Sequence, residues 1–538
     1  MVKYLLKRLL HGLISVVIVV AIVMILIYSL MDRNLIFAKD SVYSKKNNND
    51  QTVYKYQQWE TYGYLDYVPF SDYMKSLANA GELATDDMTD EEVRSSVVSN
   101  FNSTGDLNEL TQTYVDQFTS YYESQGYKVT SLSPIVMTTL SGQTKVMDGG
   151  SRQLFASKDK SLVSRLITYF TSIISVDNIN YADEVSGERG LTFTLYDPVY
   201  GGDKLSPAIM GNGTKYKYLV YFTSDFPYIH QNLVKIQLGV SYSVNQGIDV
   251  WDTMTQSQGS YVSSTVTWPT GKTESTSYDL HSATYSSGSL ASAVETENTL
   301  ITERYTDDYT NLSSIKGSMS KMGYSFVIGF ISVVLAYLFG VPLGIIMARY
   351  KDGIVDKIGS LYIIFIIAVP SLAYIFLFKG IGRSMGLPTT FVMDSTSKLM
   401  YVLPVVSLAL PSIASLMKWL RRYMIDQMNS DYVKFARSGG LTEGEIFSKH
   451  IFKNAAIPII HGIPGSVLGC LVGAIITERV YVVPGAGNLL TTAINAYDNG
   501  VIVGVTLFYA MLSVISLILG DILMAMVDPR ISFTDSGR

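Results

Sequence analysis

The sequence predicts an α-helical polytopic membrane protein with six transmembrane helices and a large mixed α+β extracellular domain inserted between helices 1 and 2. Three observations support this class. Charged residues make up only 16% of the 538 residues, against about 25% in ordinary soluble proteins. Long apolar stretches flank one polar block, residues 32–318, and basic residues gather on one side of those stretches. A wholly soluble or disordered chain is therefore excluded.

The apolar stretches have the length of membrane helices. A transmembrane helix needs about 17 to 25 mainly apolar residues to cross about 30 Å of hydrocarbon. Six long uncharged and mostly apolar runs meet this length: residues 9–31, 322–348, 358–378, 399–417, 454–477 and 499–520. The first run follows Lys3, Lys7 and Arg8 but has no small-x-small cleavage site before Asp32. We interpret it as a retained anchor rather than a signal peptide.

Basic residues predict the orientation, because cytoplasmic loops carry an excess of Lys and Arg. Fifteen Lys and Arg residues lie near the helix ends on one side, and four lie in the two short loops opposite. This places residues 1–31 as the cytoplasmic N-terminus with helix 1 and residues 32–318 outside. Residues 319–527 then form helices 2 to 6, with a cytoplasmic connection at 418–453, and residues 528–538 form a cytoplasmic tail.

The outer block is polar but aromatic enough to fold. It holds 34 acidic and 21 basic residues, so the acidity belongs to an exposed domain and indicates no nucleic-acid partner. Alternating apolar and polar residues predict strands at 191–196, 216–222 and 261–268, and helices are expected over 76–100 and 106–122. The stretch 253–294 fits strands, a mobile loop or both. The single cysteine, Cys470, lies in the fifth run, so this block has no internal disulfide.

The membrane runs contain glycines and few ionisable groups. Gly465, Gly469 and Gly473 are spaced by four, which predicts a flat face for close helix contact. Asp521 ends the sixth run and is expected to have a structural partner. The histidines have no metal-ligand spacing with Cys470, and no nucleophile and base pattern indicates an enzyme.

The connection 418–453 predicts two short helices separated by Gly439-Gly440. Thr442 and Glu445 have the spacing of a capping box at the start of the second helix. Ile446, Phe447, His450 and Ile451 then share one helix face. Alone, such a face favours headgroups or the protein's own helix ends over a partner protein.

The order of residues in this connection resembles a known motif. Asp431-Tyr-Val-Lys-Phe-Ala-Arg-Ser-Gly-Gly440, followed by His450, Asn454 and Pro458, is similar to the EAA loop of ABC importer permeases in its dipeptide and oligopeptide variant. Ala436 and Gly440 fall on the alanine and glycine of the motif, while Lys434 stands where the general motif has glutamate.

Further motifs occur in the same order as in the oligopeptide permease subunits of the OppB or AmiC type. The matching pieces are Leu5–Leu10, Gly340–Gly344, Asp356, Val369-Pro-Ser371, Glu478–Gly487, Asp521 and Asp528–Ile531. The resemblance covers about residues 1–31 and 319–533. Residues 32–235 depart from the short family form and resemble the enlargement of Gram-positive AmiC-like permeases. This enlargement is expected to meet a receptor, to cover the pathway mouth or to act as a structural cap.

The resemblance implies a type I ABC importer permease fold and two sets of functional residues. The ATPase-coupling set is Lys434, Phe435, Ala436, Arg437, Gly440, Leu441, Glu445, Ile446, Phe447 and His450. The outer gate or pathway set is Pro370, Ser371, Glu478, Pro484, Gly485 and Gly487.

The resemblance also implies partners and a place in the cell. The chain would be half of an oligopeptide pathway in the lipid bilayer of a bacterial cell membrane. It would join a second permease of the OppC type, two ATPases of the OppD and OppF type and a lipid-anchored peptide-binding protein of the OppA type. The chain has no Gly-x-x-x-x-Gly-Lys-Ser/Thr sequence, so ATP and Mg would be used by the ATPases and no cofactor by this chain. The alternatives are an anchored sensor or adhesion protein and an ion-coupled secondary transporter.

Overall fold

The computed structural model describes residues 2–83, 88–138, 144–182, 185–197, 205–222, 229–256, 264–267, 273–276, 319–393 and 397–527. Two compact units emerge from the chain. The smaller unit is Met24–Ser172 with Ala496–Gly500, and the larger unit is Met1–Val23, Ile173–Asn495 and Val501–Arg538.

The smaller unit holds the outer end of helix α1 (Val2–Leu30) and a folded polar domain. Its helices are α2 (Asn48–Thr61), α3 (Phe70–Ala80), α4 (Asp90–Phe101), α5 (Glu109–Ser124) and α6 (Leu162–Ser172). Its strands are β1 (Leu65–Pro69), β2 (Lys128–Leu132), β3 (Val136–Thr138), β4 (Thr144–Val146) and β5 (Gln153–Asp159). Strand β5 is central in the antiparallel sheet β1-β5-β2, and β3 pairs with β4.

The core of this domain lies between the sheet and helices α3, α4 and α5. Phe70, Met74, Val97 and Phe118 are buried there with Leu154 of β5. Residues 154–157 are all buried because helices or neighbouring strands cover both faces of the central strand.

The predicted helix 106–122 is confirmed by α5, but the predicted helix 76–100 is interrupted. Gly81 takes a left-handed φ of 71° and ends α3, and Thr89 begins α4 through a capping box with Glu92. Asp86 and Asp87 of the expected acidic face lie outside the described residues.

The polar part of the larger unit is mainly β-structure. Its strands are β6 (Ile174–Val176), β7 (Gly190–Thr194), β8 (Ala208–Asn212), β9 (Tyr218–Phe222), β10 (Ile229–Gln231), β11 (Val234–Ile236), β12 (Ser264–Thr267) and β13 (Thr273–Thr276). Strands β10-β9-β8-β7 form one antiparallel sheet, β6 pairs with β11, and β12 pairs with β13. The predicted strands at 191–196 and 216–222 are confirmed, and β12 lies within the third. Most of the stretch 253–294 is outside the described residues.

The helical part follows α7 (Val250–Thr255). Its helices are α8 (Lys321–Arg349), α9 (Ile354–Ala368), α10 (Ser371–Ser384), α11 (Val402–Met428), α12 (Asp431–Ser438), α13 (Glu443–Glu445), α14 (Lys453–His461), α15 (Ile463–Val472), α16 (Ile475–Tyr481), α17 (Ala486–Asn495) and α18 (Asn499–Val527). A π-helical segment, Ile446–Phe452, joins α13 to α14.

Within the described residues, five continuous helical segments are long and apolar enough to cross a membrane. The pair α9 and α10 makes a sixth if it is counted as one span, although it is bent by 108°. Each predicted apolar run overlaps one of these segments. The bend falls at Val369-Pro370 because proline disfavours a helical conformation in the residue before it.

Helices α8 and α11 pack along glycines of α8. A Cβ on Gly340 would lie 3.0 Å from Cβ of Leu416, and one on Gly344 would lie 3.3 Å from Cβ of Leu420. The bare backbone thus lets the two helices approach closely. Asp356 of α9 is buried and accepts hydrogen bonds from Arg421 of α11 at 2.5 and 2.7 Å. This ion pair holds α9 against α11.

Candidate coupling loop and outer gate

Residues 431–452 form an elbow of two short helical segments on the end of α11. The elbow is held by apolar side chains on its inner side. Val433, Ile446 and Ile451 are buried in one cluster with Leu420 and Met424 of α11. The elbow is therefore fixed to a membrane-spanning helix by its own core.

Gly440 forms the turn between the two segments. Its φ is +82°, a left-handed value that residues with a Cβ adopt only at a cost. The amide of Leu441 donates to the carbonyl of Ala436 at 3.3 Å across this turn. No described atom lies within 4 Å of the position where a Cβ would stand on Gly440. The glycine is needed here for its backbone conformation, and its outer side is open.

The outer side of the elbow is exposed and carries charge. The Phe435 ring is 76% exposed and Leu441 is 40% exposed. Arg437 donates two hydrogen bonds to Glu443, at 2.5 and 3.1 Å, and so ties the first segment to the second. Lys434 donates to Asp431 at 2.8 Å, which holds the pKa of that exposed carboxyl below its ordinary value. Thr442 and Glu445 form the predicted capping box.

The other predicted coupling residues lie beneath this surface. Ile446 is fully buried, and Phe447 is partly buried with the Arg349 guanidinium 5.7 Å from its ring centroid. His450 is half-buried, and its carbonyl accepts from the Tyr432 hydroxyl at 3.5 Å. The apolar face predicted over 446–451 is thus covered by the protein's own helices. Lys434, Phe435, Arg437 and Leu441 form the accessible part, with Ala436 half-buried between them.

Glu478 of α16 organises the other candidate site, although it is only 2% exposed. Its carboxylate accepts from the Ser325 hydroxyl at 2.6 Å, the Ala474 amide at 3.1 Å and the Asn488 amide at 3.0 Å. These donors belong to α8, to the start of α16 and to α17. A single carboxylate thus joins α16 and α17 to α8, whose Ser325 is 153 positions away in sequence.

Three glycines make room for this carboxylate. A Cβ on Gly473 or Gly485 would overlap Glu478, and one on Gly487 would lie 3.1 Å from its Oε2 atom. Gly473 has a φ of +81°, and Val482 is also left-handed at +58°. Pro484 is half-buried in the tight turn that follows. Of the predicted gate residues, Gly485 and Gly487 therefore lie directly beside the Glu478 carboxylate, and Pro484 lies in the adjoining turn.

Pro370 and Ser371 lie elsewhere, at the bend between α9 and α10. Helix α10 reaches α16 further along, where Lys379 donates to the Val480 carbonyl at 2.7 Å. Neither Pro370 nor Ser371 is among the described residues that line the cavity beside Glu478. The outer gate set is thus divided between two places.

A cavity of about 280 Å³ lies beside Glu478 between α8, α11 and α15. Small and polar side chains line it, among them Ser325, Gly329 and Ser332 of α8 and Ser412 of α11. The sequence analysis did not predict these lining residues. The spacing of Ser325, Gly329 and Ser332, at i, i+4 and i+7, is the signal that places them on one face of α8.

The expected close helix contact along Gly465, Gly469 and Gly473 is wrong for most of that stripe. No described atom lies within 4 Å of a Cβ built on Gly469, and for Gly465 the nearest is Ser516 Oγ at 3.9 Å. Gly465 and Gly469 instead line the cavity, and only Gly473 is tightly packed. The stripe leaves open space because α15 has its small residues on the cavity side.

Asp521 of α18 is a structural partner of α1. It is 4% exposed and forms an ion pair with Arg8. The Tyr4 hydroxyl donates to it at 3.3 Å, and the His461 ring lies 3.4 Å away. The motif Asp528–Ile531 lies outside the described residues.

Known proteins share sequence with this chain. Residues 340–533 match the family described as "Binding-protein-dependent transport system inner membrane component". The "Oligopeptide transport system permease protein AmiC" of Streptococcus pneumoniae (serotype 4, strain ATCC BAA-334 / TIGR4) is 33% identical over 548 residues, with 100% of both chains covered. The "Dipeptide transport system permease protein DppB" of Lactococcus lactis subsp. cremoris (strain MG1363) is 30% identical over 41% of this chain and 73% of that protein. A structure titled "Inward facing conformations of the MetNI methionine ABC transporter: CY5 native crystal form" is 13% identical, with a TM-score of 0.31, over 39% of this chain and 94% of that chain.

The apolar helices, the elbow and the family match define a polytopic type I permease, a multi-pass protein of the cell membrane. Its partners in an ABC importer are a second permease, ATPases and a binding protein. The chain belongs to the oligopeptide ABC transporter permease family. It is a permease subunit of an ABC peptide importer, and it is a transport component rather than an ATPase.

Proposed function

We propose that ATPase subunits of the importer bind the exposed side of the elbow and that the Glu478 region is the outer gate of the peptide pathway. In this arrangement the chain crosses the bilayer six times, with both termini in the cytoplasm and residues 32–318 outside. The partners are a second permease of the OppC type, ATPases of the OppD and OppF type, which hold ATP and Mg, and a peptide-binding protein of the OppA type.

One observation carries the coupling role. The accessible residues Phe435 and Leu441 border an open glycine turn, while Val433 and Ile446 of the same elbow are buried against α11. A force applied to the exposed side is therefore passed to a membrane-spanning helix through close packing. Tilting of packed helices between two arrangements is a recurrent way in which such a push becomes a change of access.

The Glu478 region supports the gate role by its construction. Its carboxylate ties α16 and α17 to α8 beside the cavity. A displacement of α8 or α11 would change the width of that cavity, which lies on the proposed peptide pathway.

The test of coupling is Gly440→Glu in the assembled importer. The side chain would occupy the open space over the turn, so peptide uptake should be lost while the ATPases still copurify with the permease. Gly440→Ala is the control for backbone strain, because it changes the φ preference without filling the space. Gly105→Glu is the control for the charge, since Gly105 is exposed, has no described atom within 4 Å of a Cβ and lies in the outer block. Normal uptake and normal peptide-stimulated ATP hydrolysis in Gly440→Glu would remove the elbow from coupling.

The orientation has a separate test. Phe435→Cys in a Cys470→Ala background gives one exposed thiol on the elbow. A thiol reagent that does not cross membranes should label it only after the cells are permeabilised. Labelling in intact cells would place the elbow outside and overturn the proposed topology.

A further inference from the structure

Helix α6 buries its charged residue and exposes apolar residues, which is the reverse of a helix in a soluble domain. Its only buried residue is the arginine Arg165. Val163 is 64% exposed and Ile167 is 59% exposed. A helix packed on a water-soluble core buries its apolar stripe and exposes its charge. Here the charge is inside and the apolar residues are outside.

The apolar residues form a continuous stripe, in which Val163 and Ile167 are exposed and Leu166 and Phe170 are half-buried. Val163, Leu166, Ile167 and Phe170 stand at i, i+3, i+4 and i+7, which places them on one face of the helix. Arg165 lies about 160° away from Val163 at about 100° per residue. It is the only charged residue of α6. An exposed apolar stripe of this kind marks a contact surface with another protein or with lipid.

Arg165 attaches α6 to the outer end of α1. Its guanidinium lies 3.5 Å from the ring centroid of Tyr28 and 4.0 Å from that of Tyr64. The two rings meet edge to face, with their centroids 5.3 Å apart. Cation–π contacts of this kind are strengthened where water is excluded, and Arg165 is only 9% exposed. The position of α6 relative to this end of α1 is therefore well defined.

Tyr28 lies close to one end of the apolar helix α1. It precedes the last residue of the helix, Leu30, by two positions, which is about 3 Å along the axis. Leu26 and Leu30 beside it are 51% and 77% exposed, on a helix apolar enough to span the bilayer. Tyrosines are enriched at this level of membrane helices because the ring is apolar and the hydroxyl is polar.

We propose that α6 is an interfacial helix whose apolar stripe enters the bilayer at the surface where α1 emerges. Lipid is the occupant because Arg165 fixes α6 to Tyr28, near the end of a helix that is apolar enough to span the bilayer. Interfacial helices bury their apolar face about 5 to 10 Å into the boundary between headgroups and acyl chains. The contact would hold the folded domain of the smaller unit against the membrane. The leaflet is the outer one in the proposed topology, but the insertion itself depends only on α1 crossing the membrane.

Site-directed spin labelling of the assembled importer tests this proposal. In the Cys470→Ala background, nitroxide labels are placed at Val163→Cys and Ile167→Cys on the stripe. Matched labels at Ser164→Cys and Thr168→Cys stand on an exposed polar side of the same helix. In nanodiscs of phosphatidylcholine and phosphatidylglycerol, collision rates with oxygen report lipid, and those with a water-soluble nickel chelate report water.

The stripe labels should collide several-fold more often with oxygen than with the chelate, and the polar-side labels should show the reverse. Water-like collision rates at all four positions would overturn the proposal. Immobile stripe labels that neither reagent reaches would also overturn it, because a protein would then cover the stripe. Peptide uptake by each labelled importer checks its assembly, and because the depth measurement does not involve the elbow, it succeeds or fails independently of the coupling test.

Discussion

The Glu478 region and the elbow both depend on glycine and charge, yet they are built in opposite ways. At Glu478 a carboxylate that is 2% exposed accepts hydrogen bonds from three segments, and neighbouring glycines leave no space for a Cβ. At the elbow Arg437 pairs with Glu443, and their side chains are 55% and 70% exposed. Gly440 has open space on its outer side. The Glu478 carboxylate joins buried segments, and the Arg437–Glu443 pair lies on the surface.

The difference shows what each glycine does. Gly485 is required because atoms of Glu478 already occupy the volume beside it, whereas Gly440 is required because of its left-handed φ. Overfilling a packed site displaces neighbours over several residues, but a strained turn affects mainly its own residues. Glycine substitutions should therefore affect stability at the Glu478 region and coupling at the elbow.

The strongest test of this contrast is Gly485→Ala. The added methyl group would overlap the Glu478 carboxyl and stand 2.6 Å from Ser325 Oγ. Overpacking of this kind costs typically up to about 3 kcal/mol, and we expect a clear fall in the thermal unfolding midpoint of the purified importer.

Gly469→Ala is the matched control, since no described atom lies within 4 Å of its Cβ position. Its unfolding midpoint should stay at the value of the unsubstituted importer. Equal midpoints for the two variants would mean that the Glu478 region is loosely packed.

Glu478→Gln should have the next largest effect. The carboxylate offers only acceptors to Ser325 and to the amides of Ala474 and Asn488. A glutamine amide turns a donor toward at least one of these groups and leaves a buried N–H without a partner, which costs about 1 to 3 kcal/mol. Thermal unfolding of the importer measures the loss.

Glu443→Gln makes the same chemical change on the elbow and serves as the comparison. Its carboxyl is solvent-exposed, so water replaces any lost hydrogen bond. We expect the unfolding midpoint to stay at the value of the unsubstituted importer. A glutamine at 443 that destabilised the importer as much as one at 478 would contradict the contrast between the two regions.

Two apolar residues within the elbow sharpen the contrast further. Val433 has no exposed surface, while Phe435 is 76% exposed. At about 0.8 kcal/mol per buried CH₂, Val433→Ala should lower stability by about 1.6 kcal/mol. Phe435→Ala should leave the unfolding midpoint unchanged but reduce copurification of the ATPases. The reverse pattern, with Phe435 needed for stability and Val433 for ATPase binding, would show that the elbow has the other face outward.

The local features of this molecule follow from the sequence, and the distant connections do not. The apolar runs, helix α5 and the Thr442 capping box depend on residues a few positions apart, so their periodicity and spacing predict them. The Ser325 hydroxyl and its acceptor Glu478 are separated by 153 positions, and spacing alone does not bring them together.

A sequence spacing that places residues on one helix face does not predict what that face contacts. The Gly465 and Gly469 stripe predicts a close contact, but these residues face a cavity. The stripe of α6 has a clear helical period, yet only the structure shows that Val163 and Ile167 point outward while Arg165 stacks on Tyr28. In both cases the tertiary neighbours decide what the small or apolar face meets.

Arg437→Ala should have the smallest effect on stability of the changes considered. Its two hydrogen bonds to Glu443 are short, at 2.5 and 3.1 Å, but both side chains are more than half exposed and are screened by water and salt. Exposed ion pairs contribute little to stability, so the unfolding midpoint should change little and should not depend on salt differently from that of the unsubstituted importer. A large loss of stability that high salt abolishes would show that this pair, rather than the buried Val433 and Ile446, holds the elbow to α11.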